Sequence, residues 1–70
     1  MIIVIFGNDE VYKVFVINEN NLELLRGNNY YFKGTYNKCV EFAIELASYK
    51  DVNGIRFAKL INNNFLLEEV

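Results

Sequence analysis

One stretch of this chain has a clear period, and it limits the folds available. After Thr35 the apolar residues Tyr36, Cys39, Val40, Ala43, Leu46 and Ala47 recur at helical spacing. At 100° per residue they fall within about 120° of arc. Phe42 and Tyr49 flank one side of that stripe and Ile44 the other, while Asn37, Lys38, Glu41, Glu45 and Ser48 occupy the opposite face. Thr35 is placed to cap the first turn, because its hydroxyl can accept from an amide two or three residues on. The spacing predicts a helix over residues 36–50, released by left-handed residues at Asn53-Gly54.

Everything on either side reads as strand. Residues 1–6 form a continuous β-branched and aromatic run, the pattern of a central strand buried on both faces. Residues 11–17 follow a turn at 7–10, so the first two strands form an antiparallel hairpin. Residues 22–26 can be read as a third strand and residues 30–33 as a fourth. Residues 54–61 alternate, Asn62–Asn64 make a hairpin loop, and residues 65–70 form an edge strand that ends in Glu68-Glu69. Many of the eleven Asn residues sit at these turns. Asn tolerates positive φ and hydrogen-bonds its own backbone. The expectation is one α+β domain over residues 1–70. It has an antiparallel sheet of about five short strands and one amphipathic helix on one face, in the order β-β-β-β-α-β-β with the third strand open.

The residue inventory argues against chemistry. There is no His, Trp or Pro, and only one Cys, one Ser and one Thr. Cys39 lies on the apolar stripe, where a small buried hydrophobe is the ordinary reading, and no imidazole exists to activate it. Ser48 sits on the polar helix face, and Thr35 has a sufficient role as a cap. Zinc has too few ligands. Glu41 and Glu45 stand one helical turn apart without a convergent oxygen set, and the four glycines are single turn residues rather than a phosphate loop. We therefore expect no enzyme, no cofactor and no catalytic or metal-binding residue. The formal charge is −2, with charges scattered. Nucleic acid is a poor partner without a basic stripe. No apolar run reaches the roughly 20 residues of a membrane span, and no secretory leader pattern opens the chain, so a cytoplasmic location is expected.

The remaining feature is apolar surface. In the first strand Ile3 and Ile5 oppose Ile2, Val4 and Phe6. In the second, Tyr12, Val14 and Val16 oppose Val11, Lys13, Phe15 and Ile17. A helix about 10 Å across covers the middle of one face only, and a large apolar patch left open marks an interaction site. We expect that second face to carry Tyr12, Val14, Val16 and Tyr31, with Arg56 nearby, as a partner-binding surface. Which set the helix takes depends on register, since a slip of one residue exchanges every side chain. The aromatic run Tyr30-Tyr31-Phe32 beside Lys33 fits a sheet core or a protein contact better than a base-stacking platform.

In size, Asn-rich composition and α+β pattern the chain resembles the small orphan proteins of bacteriophages and other mobile elements. Anti-CRISPR and other anti-defence proteins are among these. The resemblance implies an inhibitor of a host protein that works by steric blockade in the host cytoplasm, and it assigns no residue a role. The reading is a small non-enzymatic protein-binding module whose partner can be another protein or a second copy in a homodimer. The alternatives are a nucleic-acid-associated regulatory module and a small-ligand or nucleotide binder at a dimer seam.

Overall fold

The computed structural model describes residues 1–8 and 10–69. Its elements in chain order are β1 (Ile2–Asn8), β2 (Val11–Ile17), a 3-10 helix (Leu22–Arg26), β3 (Phe32–Gly34), α1 (Tyr36–Ala47), β4 (Ile55–Ile61) and β5 (Asn64–Glu69). Of the turn expected at 7–10, Gly7 and Asn8 extend β1 and Asp9 lies outside the described residues. So does Val70 at the end of the expected last strand.

The five strands form one sheet in the order β3-β2-β1-β4-β5. β1 pairs antiparallel with β2, and the run Ile2–Ile5 is buried on both sides. The expected all-antiparallel sheet is corrected to a mixed one, because β4 runs parallel to β1. The reason lies in the connection. A hairpin loop returns the chain antiparallel, whereas α1 carries it across β2 and β1 before β4 begins. Beyond β4, Asn62 and Asn63 both take positive φ, 51° and 66°. That is the two-residue turn whose twist suits a hairpin, and it sets Ile61 opposite Asn64.

α1 starts as its cap foretells, with the Thr35 Oγ1 accepting from the Lys38 amide at 3.3 Å. It ends at Ala47, three residues before the expected limit of 50. The Ser48 hydroxyl donates to the Glu45 carbonyl at 2.6 Å, a local bond that competes with the helical ladder. The chain then turns so that the Asn53 amide reaches the Met1 carbonyl at 2.8 Å. Gly54 does adopt positive φ, at 131°, but as the lead into β4 rather than as the helix stop.

Two cores result. On the α1 side Ile3, Ile5 and Val14 pack with Cys39, Ala43 and Leu46. On the opposite side Ile2, Val4, Phe15, Ile17 and Ala58 pack with Leu25. Residues 22–26 are therefore a cover for the second core and not a strand. Leu22 and Leu25, three apart, fall on one side of a three-residue turn, which is the 3-10 period. The alternation of Leu22 and Leu24 against Glu23 and Leu25 concealed this spacing.

The two leucines on that turn separate the readings. Leu25→Ala should destabilise the protein by about 2–4 kcal/mol, as removal of a buried Leu does. Leu24→Ala should cost less than about 1 kcal/mol. Urea unfolding of both variants measures the difference, and equal costs would contradict this packing.

Candidate functional site

The five residues expected to form one partner-binding face are divided by the fold. Val14 is fully buried under α1, and Tyr12 and Val16 pack against the same core. Tyr31 is half-exposed at the start of β3, with the Lys50 ammonium 5.6 Å from its ring centre. Arg56 lies on the other side of the sheet, in register with Val4, where it reaches Glu69 at 3.8 Å. The grouping fails because the helix takes the Tyr12–Val14–Val16 set, and neither β2 nor the sequence around it marks which set that is. The sequence argument that one helix leaves apolar area uncovered leads instead to two other surfaces.

The first lies beside α1. Phe42 stacks on Phe32 of β3, with ring centres 4.7 Å apart, so the helix leans toward that edge. Its opposite flank carries Val40, packed on the helix-side core, and the exposed Ile44. Tyr36 stacks on Phe57 of β4 at 5.5 Å and marks the helix border there. β5 is an edge strand with a neighbour on one side only. Leu66 shares the helix side of the sheet with Phe57, because it stands opposite Lys59. Ile44 is 60% exposed, Leu66 51%, Ile61 49% and Tyr36 45%. The two-residue turn makes Ile61 and Asn64 a hydrogen-bonded pair, so alternation turns the amides of Phe65, Leu67 and Glu69 away from β4. Lys59–Glu68 at 3.2 Å and Arg56–Glu69 at 3.8 Å brace the hairpin from its two faces.

The second surface is a cavity of about 490 Å³ on the face opposite α1. The 3-10 helix covers only the part of that face nearer Ile2 and Ile17. Past its end the sheet lies open, and Phe6, Leu60 and Phe65 make an apolar floor. Lys13 and Lys33 stand on one wall and Arg26 on another. The Arg26 guanidinium is held in place by Glu23 at 2.6 Å, by the Asn63 carbonyl at 2.9 Å and by the Phe65 ring at 4.8 Å. Only the placement of Lys13 on the same strand face as Val11 and Phe15 hinted at this cavity. The 3-10 wall could not be seen from strand alternation.

Cys39 is fully buried, and its Sγ donates weakly to the Gly34 carbonyl at 3.9 Å. Burial pushes its thiol up from the ordinary value, and the Gly34 contact only offsets part of that shift. A raised thiol favours the protonated form, which is the reverse of an activated nucleophile. No group of three or more metal-ligating side chains occurs among the described residues. No described helix is long and apolar enough to cross a membrane.

No protein-family model, curated protein or solved structure matches this chain.

The state of Cys39 has a direct readout. A thiol-specific disulfide reagent at pH 8 should react with the native protein roughly a hundredfold more slowly than with the protein in denaturant, since reaction needs local opening. The protonated folded thiol also gives stability that is fully present below the unfolded-state pKa and is lost as pH rises above it. Native and denatured rates that agree would place the thiol at the surface.

Proposed function

We propose that this chain is a non-enzymatic protein-binding module that acts by adding a partner's strand to the free edge of β5. The observation that carries this reading is an edge strand whose helix-side face exposes Leu66, next to the half-exposed Ile61 of its hairpin partner. An extended segment beside β5 would bond the outward amides of Phe65, Leu67 and Glu69, and its side chains would cover Leu66, Ile61 and Ile44. Main-chain bonds supply affinity in such strand addition, and the side-chain contacts supply specificity. Glu68 and Glu69 discourage indiscriminate edge pairing and select against acidic strands.

A second copy of the chain can supply the strand. Two β5 edges running antiparallel would extend the sheet across a two-fold axis, with the same residues buried from each side. Beyond self-association, a module of this kind works by occupying a surface. That is the mode implied by its resemblance to small anti-defence proteins of mobile elements, namely blockade of a host protein without chemistry. Its size and its lack of His support this mode, as does the protonated, buried state of its one thiol.

Light scattering across a dilution series, combined with amide exchange, tests the edge. The wild-type chain should have the mass of a dimer at micromolar concentration, with slow exchange at Phe65, Leu67 and Glu69. The double variant Ile44→Asp/Leu66→Lys should halve the mass and release those amides while α1 stays protected. A wild-type monomer at every concentration, with fast exchange along β5, would remove the second copy as the partner.

A further inference from the structure

The cavity opposite α1 has a feature that β5 does not explain. Lys13 and Lys33 are directly opposed on neighbouring antiparallel strands and point to the same face. Side chains in that relation have Cβ atoms about 5 Å apart, and like charges there repel. Among the described residues no carboxylate lies within ion-pairing distance of either ammonium, although the chain is acidic overall. The nearest charged neighbour on the cavity wall is a third cation, Arg26, which Glu23 already engages. No carboxylate is among the described residues that line the cavity. The Lys13 ammonium is steadied over the Tyr30 ring at 5.1 Å, a cation–π contact that fixes its position.

The geometry points to a binding site for an amphipathic organic phosphate, a phosphomonoester carried on a flat aromatic body. Two adjacent ammonium groups are point charges with several rotatable donors each. They suit a dianion with three acceptor oxygens better than a carboxylate, which carries one charge and pairs best with a free guanidinium fork. The phosphate bridges Lys13 and Lys33 and relieves their repulsion. The aromatic body lies over Phe6, Phe65 and the half-exposed Leu60, withdrawing that floor from water. A volume of about 490 Å³ is within the usual range for a small-molecule site. This site is on the opposite side of the sheet from Ile44 and Leu66, so it stands whether or not β5 takes a partner.

The test is a nuclear magnetic resonance titration of the full chain with adenosine 5′-monophosphate, inorganic phosphate, adenosine and a short single-stranded oligonucleotide. We expect the monophosphate to shift Lys13, Lys33, Phe6 and Phe65 saturably, at least tenfold more tightly than phosphate or adenosine alone. Lys33→Gln should weaken that binding at least tenfold, and without ligand it should melt no lower than wild type, because it removes a repulsion. Leu60→Ser, which removes apolar floor without adding charge, should weaken the monophosphate while leaving inorganic phosphate unchanged. The proposal is overturned if no saturable shift occurs, if the shifts fall elsewhere, or if Lys33→Gln binds equally well. It is likewise overturned if phosphate alone matches the monophosphate. Tighter, strongly salt-dependent binding of the oligonucleotide would assign the cations to a nucleic-acid strand instead.

Discussion

The structure depends on β1. Its residues Ile2, Ile3, Val4 and Ile5 are almost completely withdrawn from water, two toward each face of the sheet. A strand buried in this way must have both of its hydrogen-bonding edges occupied, since unpaired buried amides are costly. β2 satisfies one edge as an antiparallel hairpin partner. The other falls to β4, which arrives parallel after the helix. Both cores are built outward from this strand, so each needs its own cover. α1 supplies one, and the short 3-10 helix with Tyr30 supplies the other.

Neither cover matches the sheet in size. Five strands at about 4.8 Å spacing span roughly 24 Å, whereas a helix is about 10 Å across. α1 leans toward β3 through the Phe32–Phe42 stack and leaves the β4–β5 hairpin open on its side. The 3-10 helix ends at Arg26 and leaves uncovered the part of the sheet that carries Lys13, Phe6 and Leu60. The two openings differ in chemistry. Beside α1 the hairpin exposes Leu66 and Ile61 around the Lys59–Glu68 pair, next to the outward-facing amides of β5. The cavity on the reverse face is basic with an apolar floor. On the readings proposed above, one small sheet would offer a strand-like partner and an anionic ligand separate places to bind.

Much of this was legible residue by residue. The continuous run in β1 announced a central strand, and the Thr35 cap and the apolar stripe located α1. Asn62–Asn64 announced a hairpin loop, which the structure narrows to the turn at Asn62 and Asn63, and the place of Cys39 on the stripe announced its burial. Each of these is a local property, fixed by side-chain sterics or by spacing along a single element. The misreadings arose where two local patterns competed. Leu22–Arg26 satisfies both a period of two and a period of three, and only the uncovered core against Leu25 chooses between them. The end of α1 was displaced because the Ser48 hydroxyl and the Asn53–Met1 bond outcompete three more helical residues.

By itself the sequence determined the kind of molecule: an α+β chain with one helix, strands around a doubly buried centre, and an inventory poor in catalytic groups. Apolar period, turn residues and side-chain chemistry act locally, so they can be read without knowing what lies across the sheet. Only the tertiary structure decided that Tyr12, Val14 and Val16 go under the helix, that β4 runs parallel to β1, and that Lys13 meets Lys33 beside Phe6 and Phe65. Those outcomes depend on strand register and on the path of the crossover. Side chains alternate with a period of two, so the face a residue meets is fixed by its neighbours in space.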